Sequence, residues 1–122
     1  MKSVAVVGAS ANPAKFGNQA VRAYLARGYR VFPVNPRADP IEGLSCYPSV
    51  ADLPERPHLI SVYLPPTSVL ELLPSIAARG CDELWLNPGT ESPEVLQTAE
   101  ELGLNVVQAC SILSVGGRPV YG

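Results

Sequence analysis

A short apolar run near the start of the chain, Val4-Ala5-Val6-Val7, constrains the fold more than any other stretch. It is too short for a buried helix and rich in valine, which is typical of a strand buried on both faces of a parallel sheet. Gly8 ends the run, and a loop of small residues leads to an amphipathic helix that opens near Gly17. A strand, a glycine turn and a helix start together create an anion site, because backbone N–H groups and the positive end of the helix dipole meet there.

Strand-like and helix-like segments alternate along the rest of the chain. The strand-like segments are residues 4–7, 29–34, 58–64, 83–86 and 105–108, with a short strand near 46–47. The helices are expected at 19–27, at 67–79 with Thr67 as cap, and at 93–102 with Ser92 as cap. This alternation predicts an α/β fold: a doubly wound, mainly parallel sheet of five to six strands with helices on both faces.

The order of the strands predicts where a ligand binds. We expect the strand at 58–64 beside the first strand, across the point where the strand order reverses. Ligands of such sheets bind in the crevice at the carboxyl ends of the strands. The loops that converge there are 8–17, 35–37, 64–67 and 87–91. The site is therefore expected to consist of several loops and not of one motif.

Composition narrows the class of protein. A chain of 122 residues is expected to form one domain, residues 1–122, with a sizeable core. A net charge of -2 argues against nucleic acid or an anionic membrane as partner. No secretory signal or membrane-length apolar run is visible, and Cys46, Cys81 and Cys110 are widely spaced without a CxxC pair. These features predict a cytoplasmic protein without disulfides or a metal site.

The first loop departs from the dinucleotide fingerprint GxGxxG. Counting from Gly8, the second and third glycine positions hold Ser10 and Pro13. The second strand ends without the acidic residue that binds the ribose of NAD, and no Walker A sequence is present. NAD is thus disfavoured, whereas Arg37 is suited to a ribose phosphate, which both NADP and coenzyme A carry.

In four segments the chain resembles the stand-alone CoA-binding proteins. These segments are Gly8-Ala9-Ser10 with Pro13-x-Lys15-Phe16-Gly17, Val34-Asn35-Pro36, Val62-Tyr63-Leu64-Pro65-Pro66, and Leu84-Trp85-Leu86-Asn87-Pro88-Gly89. They follow one another with the family's spacing and cover essentially the whole chain. The family is similar to the N-terminal domain of the succinyl-CoA synthetase α subunit. The resemblance implies a Rossmann-type domain that binds coenzyme A or an acyl-CoA.

The resemblance also implies which residues contact the ligand. The CoA phosphates are expected on the first loop, at Gly8, Ala9, Ser10, Asn12, Lys15, Phe16 and Gly17. The ribose phosphate or the adenine is expected near Asn35, Pro36 and Arg37. An apolar wall is expected at Leu64, Pro65 and Pro66, and the opposite side is expected to be closed by Asn87, Pro88 and Gly89.

Simpler interpretations of single residues stay open. The glycine loop is also consistent with a plain strand-to-helix turn, and Arg37 with ordinary loop charge. His58 has no nucleophile placed beside it, and no pair of carboxylates is spaced for acid–base work. Cys110 is consistent with a buried structural thiol or with a thiol that faces the crevice and exchanges with CoA. The phosphorylated histidine of the synthetase belongs to a second domain without counterpart in this sequence.

The sequence therefore predicts non-catalytic binding of coenzyme A or acyl-CoA. One alternative is an enzyme, either an NADP-dependent reductase or a component of a split acyl-CoA synthetase whose partner is a separate chain. Another is a regulatory protein that reports CoA to a protein partner. A homo-oligomer, the acyl group and a role for the tail at 111–122 are left open.

Overall fold

The computed structural model describes residues 2–120; the expected domain limits at 1 and 122 and the last two tail residues lie outside this range. Within it, strands and helices alternate as β1 (Ser3–Val7), α1 (Phe16–Ala26), β2 (Arg30–Val34), β3 (Leu59–Val62), α2 (Pro66–Arg79), β4 (Glu83–Leu86), α3 (Pro93–Glu101), β5 (Val106–Gln108) and α4 (Ser111–Ser114). A 3-10 turn, Val50–Asp52, precedes β3. No helix among the described residues is long and apolar enough to cross a membrane.

The strands form one five-stranded sheet in the order β2-β1-β3-β4-β5, and every neighbouring pair is parallel. β1 lies between β2 and β3, so the strand order reverses beside β1, as the sequence predicted. Val7 pairs in register with Val34 on one side and with Val62 on the other. The loops after these three strands therefore start level with one another at the carboxyl edge. This confirms the α/β, Rossmann-like fold.

Helices cover both faces of the sheet. Alternate residues of β1 point to opposite faces, and all of them are buried. Val4 and Val6 belong to the cluster that contains Tyr24 of α1, together with residues of α4. Ala5 and Val7 belong to the other cluster, which contains residues of α2 and α3. The unbroken apolar run of β1 is thus explained by burial on two sides.

Two local predictions were wrong, and one short helix was missed. The expected strand at 46–47 is only an isolated bridge between Val34 and Tyr47. α2 is not capped by Thr67, because it begins one residue earlier, at Pro66, with Pro65 as N-cap. The fixed φ of proline favours the first helical position, where its missing N–H costs nothing. The tail also contains α4, a single turn of helix that lacks a periodic apolar pattern long enough to read.

Gly17 allows α1 to begin directly against the turn that follows β1. A Cβ at Gly17 would overlap the carbonyl oxygen of Gly8 and lie 3.1 Å from Cα of Ala9. Because both obstacles are backbone atoms, they cannot move aside as a side chain can. We expect Gly17→Ala to lower the free energy of unfolding by about 3 kcal/mol, measured by denaturant titration.

Gly28 at the other end of α1 provides the matched control. It has a positive φ of 80° and no heavy atom within 4 Å of the position of a Cβ. Asparagine tolerates this conformation, so Gly28→Asn should cost less than about 1 kcal/mol. If Gly17→Ala lowered the free energy of unfolding no more than Gly28→Asn does, the close contact described between α1 and the Gly8 turn would be contradicted.

Candidate functional site

The loops at the carboxyl edge of the sheet enclose a cavity of about 870 Å³. Its lining comes from four loops and the tail: Gly8, Ala9, Ser10, Ala14, Lys15, Phe16 and Gly17; Asn35; Tyr63, Leu64, Pro65 and Pro66; Pro88, Gly89 and Thr90; and Val120. A smaller cavity of about 280 Å³ shares Ser10 and Asn35 with the first and extends to Ala11, Asn12, Arg37, Asp39 and Ile41. We call these the main cavity and the side cavity.

Most of the residues that the sequence placed at a ligand line one of these cavities. The exceptions are Pro36 and Asn87, which line neither. Pro36 is exposed, and Asn87 is buried below the surface. The structure thus brings four separate stretches of sequence together, while their contact with a ligand stays a prediction.

The turn after β1 is built by backbone contacts. The N–H groups of Gly8 and Ala9 both donate to the carbonyl oxygen of Val34, at 3.1 and 3.3 Å. Gly8 has a φ of 90°, and a Cβ there would lie 2.7 Å from the carbonyl oxygen of Tyr63. A glycine is therefore required, and the two N–H groups shape the turn while the start of α1 is presented to the cavity.

The loop between Ser10 and Lys15 is held in shape by its own hydrogen bonds. The Asn12 N–H donates to Oγ of Ser10 at 3.1 Å, and Oδ1 of Asn12 accepts from the Ala14 N–H at 3.0 Å. From below, the buried Asn18 donates through Nδ2 to the carbonyl oxygen of Ser10 at 2.9 Å. Asn12 therefore shapes the loop, which needs little rearrangement to receive a ligand.

The helices that begin at the main cavity lack side-chain caps. Lys15, the N-cap of α1, and Pro65, the N-cap of α2, make no capping hydrogen bond, and neither first turn contains an acidic residue. In α3, by contrast, Ser92 accepts from the Val95 N–H at 3.1 Å, and Glu94 lies in the first turn. The first turns of α1 and α2 thus favour an anion, whereas α3 supplies its own acceptor and negative charge.

The charges of the two cavities differ. Lys15 is the single charged residue among the described residues that line the main cavity. The side cavity contains Arg37, whose Nε lies 3.6 Å from Oδ2 of Asp39, with both side chains largely exposed. An exposed pair of this kind contributes little energy, so Arg37 can exchange Asp39 for a phosphate at small cost.

Asn87 supports the wall of the main cavity from beneath. Its Nδ2 donates to Oγ of Ser61 and to the carbonyl oxygen of Val62, each at 2.9 Å. Its Oδ1 accepts from the Ser111 N–H at 2.8 Å, and its own carbonyl oxygen accepts from Oγ1 of Thr90 at 2.7 Å. Asn87 therefore joins β3, α4 and the 88–90 loop and acts as a positioning residue.

Sequence reasoning missed several residues of the main cavity: Ala14, Tyr63, Thr90 and Val120. Tyr63 lies within one of the four segments that resemble the CoA-binding proteins, and Thr90 directly follows another. Both residues could therefore have been found from their neighbours. Burial raises the pKa of the Tyr63 phenol, which keeps it neutral. Val120 gave no local signal, because its place beside the first loop depends on a contact across the whole chain.

The three cysteines and the histidine line neither cavity, although Sγ of Cys46 lies 4.0 Å from the carbonyl oxygen of Asn35. Cys110 is half-buried against the α1 side of the core and lines neither cavity. Burial raises the pKa of the Cys81 thiol to about 11, which makes it a poor nucleophile at neutral pH. Nδ1 of His58 accepts from the Ser3 N–H at 3.1 Å, at the amino end of β1 and hence at the opposite edge of the sheet.

Three relatives show what the chain is similar to. A conserved hypothetical protein of known structure from Pyrococcus furiosus is 39% identical with a TM-score of 0.82, over 90% of this chain and 93% of that one. The ADP-forming acetate–CoA ligase II of Archaeoglobus fulgidus is 38% identical over 81 residues, which are 65% of this chain and 12% of the ligase. The α subunit of the ADP-forming acetate–CoA ligase II of Pyrococcus furiosus is 26% identical over 117 residues, 87% of this chain and 26% of the subunit.

The chain thus spans about a quarter or less of the length of the ligases that it matches. The model of one family, described as the CoA binding domain, matches residues 2–116. That match covers the five strands and the four loops of the carboxyl edge. The chain belongs to the CoA-binding domain family.

Proposed function

We propose that the chain binds coenzyme A or an acyl-CoA across the main and side cavities and carries out no chemistry on it. The observation that carries this proposal is the meeting of two unlike surfaces in the main cavity. The uncapped start of α1 and Lys15 form a cationic end, and the segment 64–66 forms an apolar wall. Coenzyme A joins a polyanionic nucleotide to a long, weakly polar arm and matches both.

The phosphates are assigned to the cationic end. The positive end of the α1 dipole and the Lys15 ammonium favour the pyrophosphate, and no carboxylate lines the main cavity among the described residues. Arg37 in the side cavity is assigned to the phosphate on the ribose. Asn35 lines both cavities and is assigned to the part of the nucleotide between the pyrophosphate and the ribose phosphate.

The arm of the ligand is assigned to the rest of the main cavity. Leu64, Pro65 and Pro66 present a rigid surface with few donors, and Pro88 and Gly89 stand in the loop after β4. The volume of about 870 Å³ lies within the range of small-molecule sites, about 300–1,000 Å³.

Binding without catalysis is supported by the kinds of residue around the main cavity. They are glycine, proline, apolar, amide and hydroxyl residues with Lys15, while His58 is hydrogen-bonded to Ser3 at the far edge.

A second candidate is the CoA-binding component of a split ADP-forming acyl-CoA synthetase whose partner is a separate chain. The likeness to the α subunit of such a ligase favours it, and co-purification of a partner would distinguish the two. For either function we place the protein in the cytoplasm.

Ligand selectivity tests the proposed function. We expect isothermal titration calorimetry to show micromolar binding of coenzyme A and acetyl-CoA and no binding of NAD, because the loop lacks the second and third glycines and β2 ends without an acidic residue. NADP shares the adenosine, the pyrophosphate and a phosphorylated ribose with coenzyme A but lacks the pantetheine arm that is assigned to the apolar wall, so it should bind far more weakly. A chain that preferred NADP, or bound none of the four, would contradict the proposal.

Lys15 tests the place of the phosphates. Lys15→Ala should weaken coenzyme A binding by about 1–3 kcal/mol, the range for a hydrogen bond to a charged group, or about 5-fold to 150-fold in Kd. Lys2→Ala is the matched control, since Lys2 is an exposed lysine at the amino end of β1. If Lys15→Ala and Lys2→Ala bound coenzyme A with equal affinity, Lys15 would not be part of the site.

A further inference from the structure

The last described residues, 118–120, return to the main cavity and are held there by α1. Gln19 of α1 binds both backbone groups of Val120: its Oε1 accepts from the Val120 N–H at 2.8 Å, and its Nε2 donates to the Val120 carbonyl oxygen at 2.9 Å. The pair closes a loop of 101 positions in the sequence. We call residues 118–120 the strap.

Gln19 links the strap to the first loop of the site. It is buried, and its Nε2 also donates to the carbonyl oxygen of Ala14 at 3.0 Å. Both donors and the acceptor of the side-chain amide are thereby used. Ala14 and Val120 both line the main cavity, so one amide fixes two parts of its lining.

The other end of the strap is fixed by α4. The Gly116 and Gly117 N–H groups donate to the carbonyl oxygens of Leu113 and Ile112, at 3.1 and 2.9 Å, and Gly116 has a φ of 83°. This left-handed turn ends α4, and Ile112 of α4 and its C-cap Val115 are buried in the cluster that contains residues of α1. The strap is therefore attached at both ends, by α4 and by Gln19.

We infer that the strap is part of the ligand site and covers the apolar portion of the bound molecule, the pantetheine arm or its acyl group. This inference rests on the proposed function. Val120 is an apolar residue that lines the main cavity yet remains 66% exposed. The lining of the main cavity also includes the apolar side chains of Phe16 and Leu64, and the charged side cavity does not include Val120. A ligand arm in the main cavity buries Val120, and Gln19 holds the strap in place for that contact.

A double-mutant cycle on coenzyme A affinity tests the strap. The four proteins are the wild type, Gln19→Leu, a chain that ends at Gly117, and the combination, all checked for folding by thermal unfolding. Each single change should raise the Kd for coenzyme A about threefold to tenfold, the effect of one or two net hydrogen bonds. Because Gln19 acts largely through the strap, Gln19→Leu should raise the Kd by a smaller factor in the shortened chain than in the full one.

The control is Gln97→Leu, which changes an exposed glutamine of α3 whose side chain donates to Glu101 and should leave the Kd unchanged. Two results would overturn the role of the strap but not the proposed function. One is that Gln19→Leu and the shortening raise the Kd for coenzyme A independently of each other, and the other is that the shortened chain has the wild-type Kd. Failure of the wild type to bind coenzyme A would overturn both.

A second measurement avoids mutation. Saturating coenzyme A should slow amide hydrogen exchange at Val120 about tenfold or more, since the ligand covers a strap that is already hydrogen-bonded. Unchanged exchange at Val120, beside slowed exchange in the 10–17 loop, would overturn the strap while supporting ligand binding at that loop.

Discussion

The close contact between the Gly8 turn and the start of α1 is the constraint on which the rest of the structure depends. Val34 accepts both N–H groups of that turn, and Gly17 permits α1 to begin against the Gly8 carbonyl oxygen. A side chain at position 17 would overlap backbone, so no rotamer change relieves it. This contact sets the direction of α1 and thereby the position of Lys15 and of the uncapped helix terminus. The register of β1 with β2 and β3 places the ends of these strands level with one another beside it.

Buried amides then fix the two sides of the cavity. Asn18 holds the Ser10 carbonyl beneath the first loop, and Asn87 joins β3 to α4 and supports the loop after β4. Each is hydrogen-bonded to backbone groups of the fold, and a buried polar group without a partner costs more than an ordinary hydrogen bond contributes. These hydrogen bonds hold the first loop at Ser10 and the loop after β4 at Thr90. Loops that are already held in shape suit a protein that binds a ligand, because little entropy is lost when the ligand enters.

The sequence predicted the parts of this structure that local patterns specify. The valine run gave β1, the Ser92-Pro93 pair the start of α3, and the alternation of segments the parallel sheet. Because loops at one sheet edge must converge, most residues around the cavities could also be identified. Asn87 was expected to face the ligand, whereas the structure buries it below the cavity, where it bonds to Ser61 and Ser111 from other elements. The strap could not be predicted, because in the described part of the chain it is tied to the site through a long-range contact between Gln19 and Val120.

The crystal structure of the protein with coenzyme A tests the central claim most directly. The account predicts the pyrophosphate at the first turn of α1 within hydrogen-bond distance of Nζ of Lys15, and the pantetheine arm along Leu64, Pro65 and Pro66. Coenzyme A bound elsewhere, for example in the cavity that Leu96 and Val106 line beside β5, would contradict it. So would a ligand placed in the main cavity with its apolar arm at Lys15 and its phosphates against the proline wall.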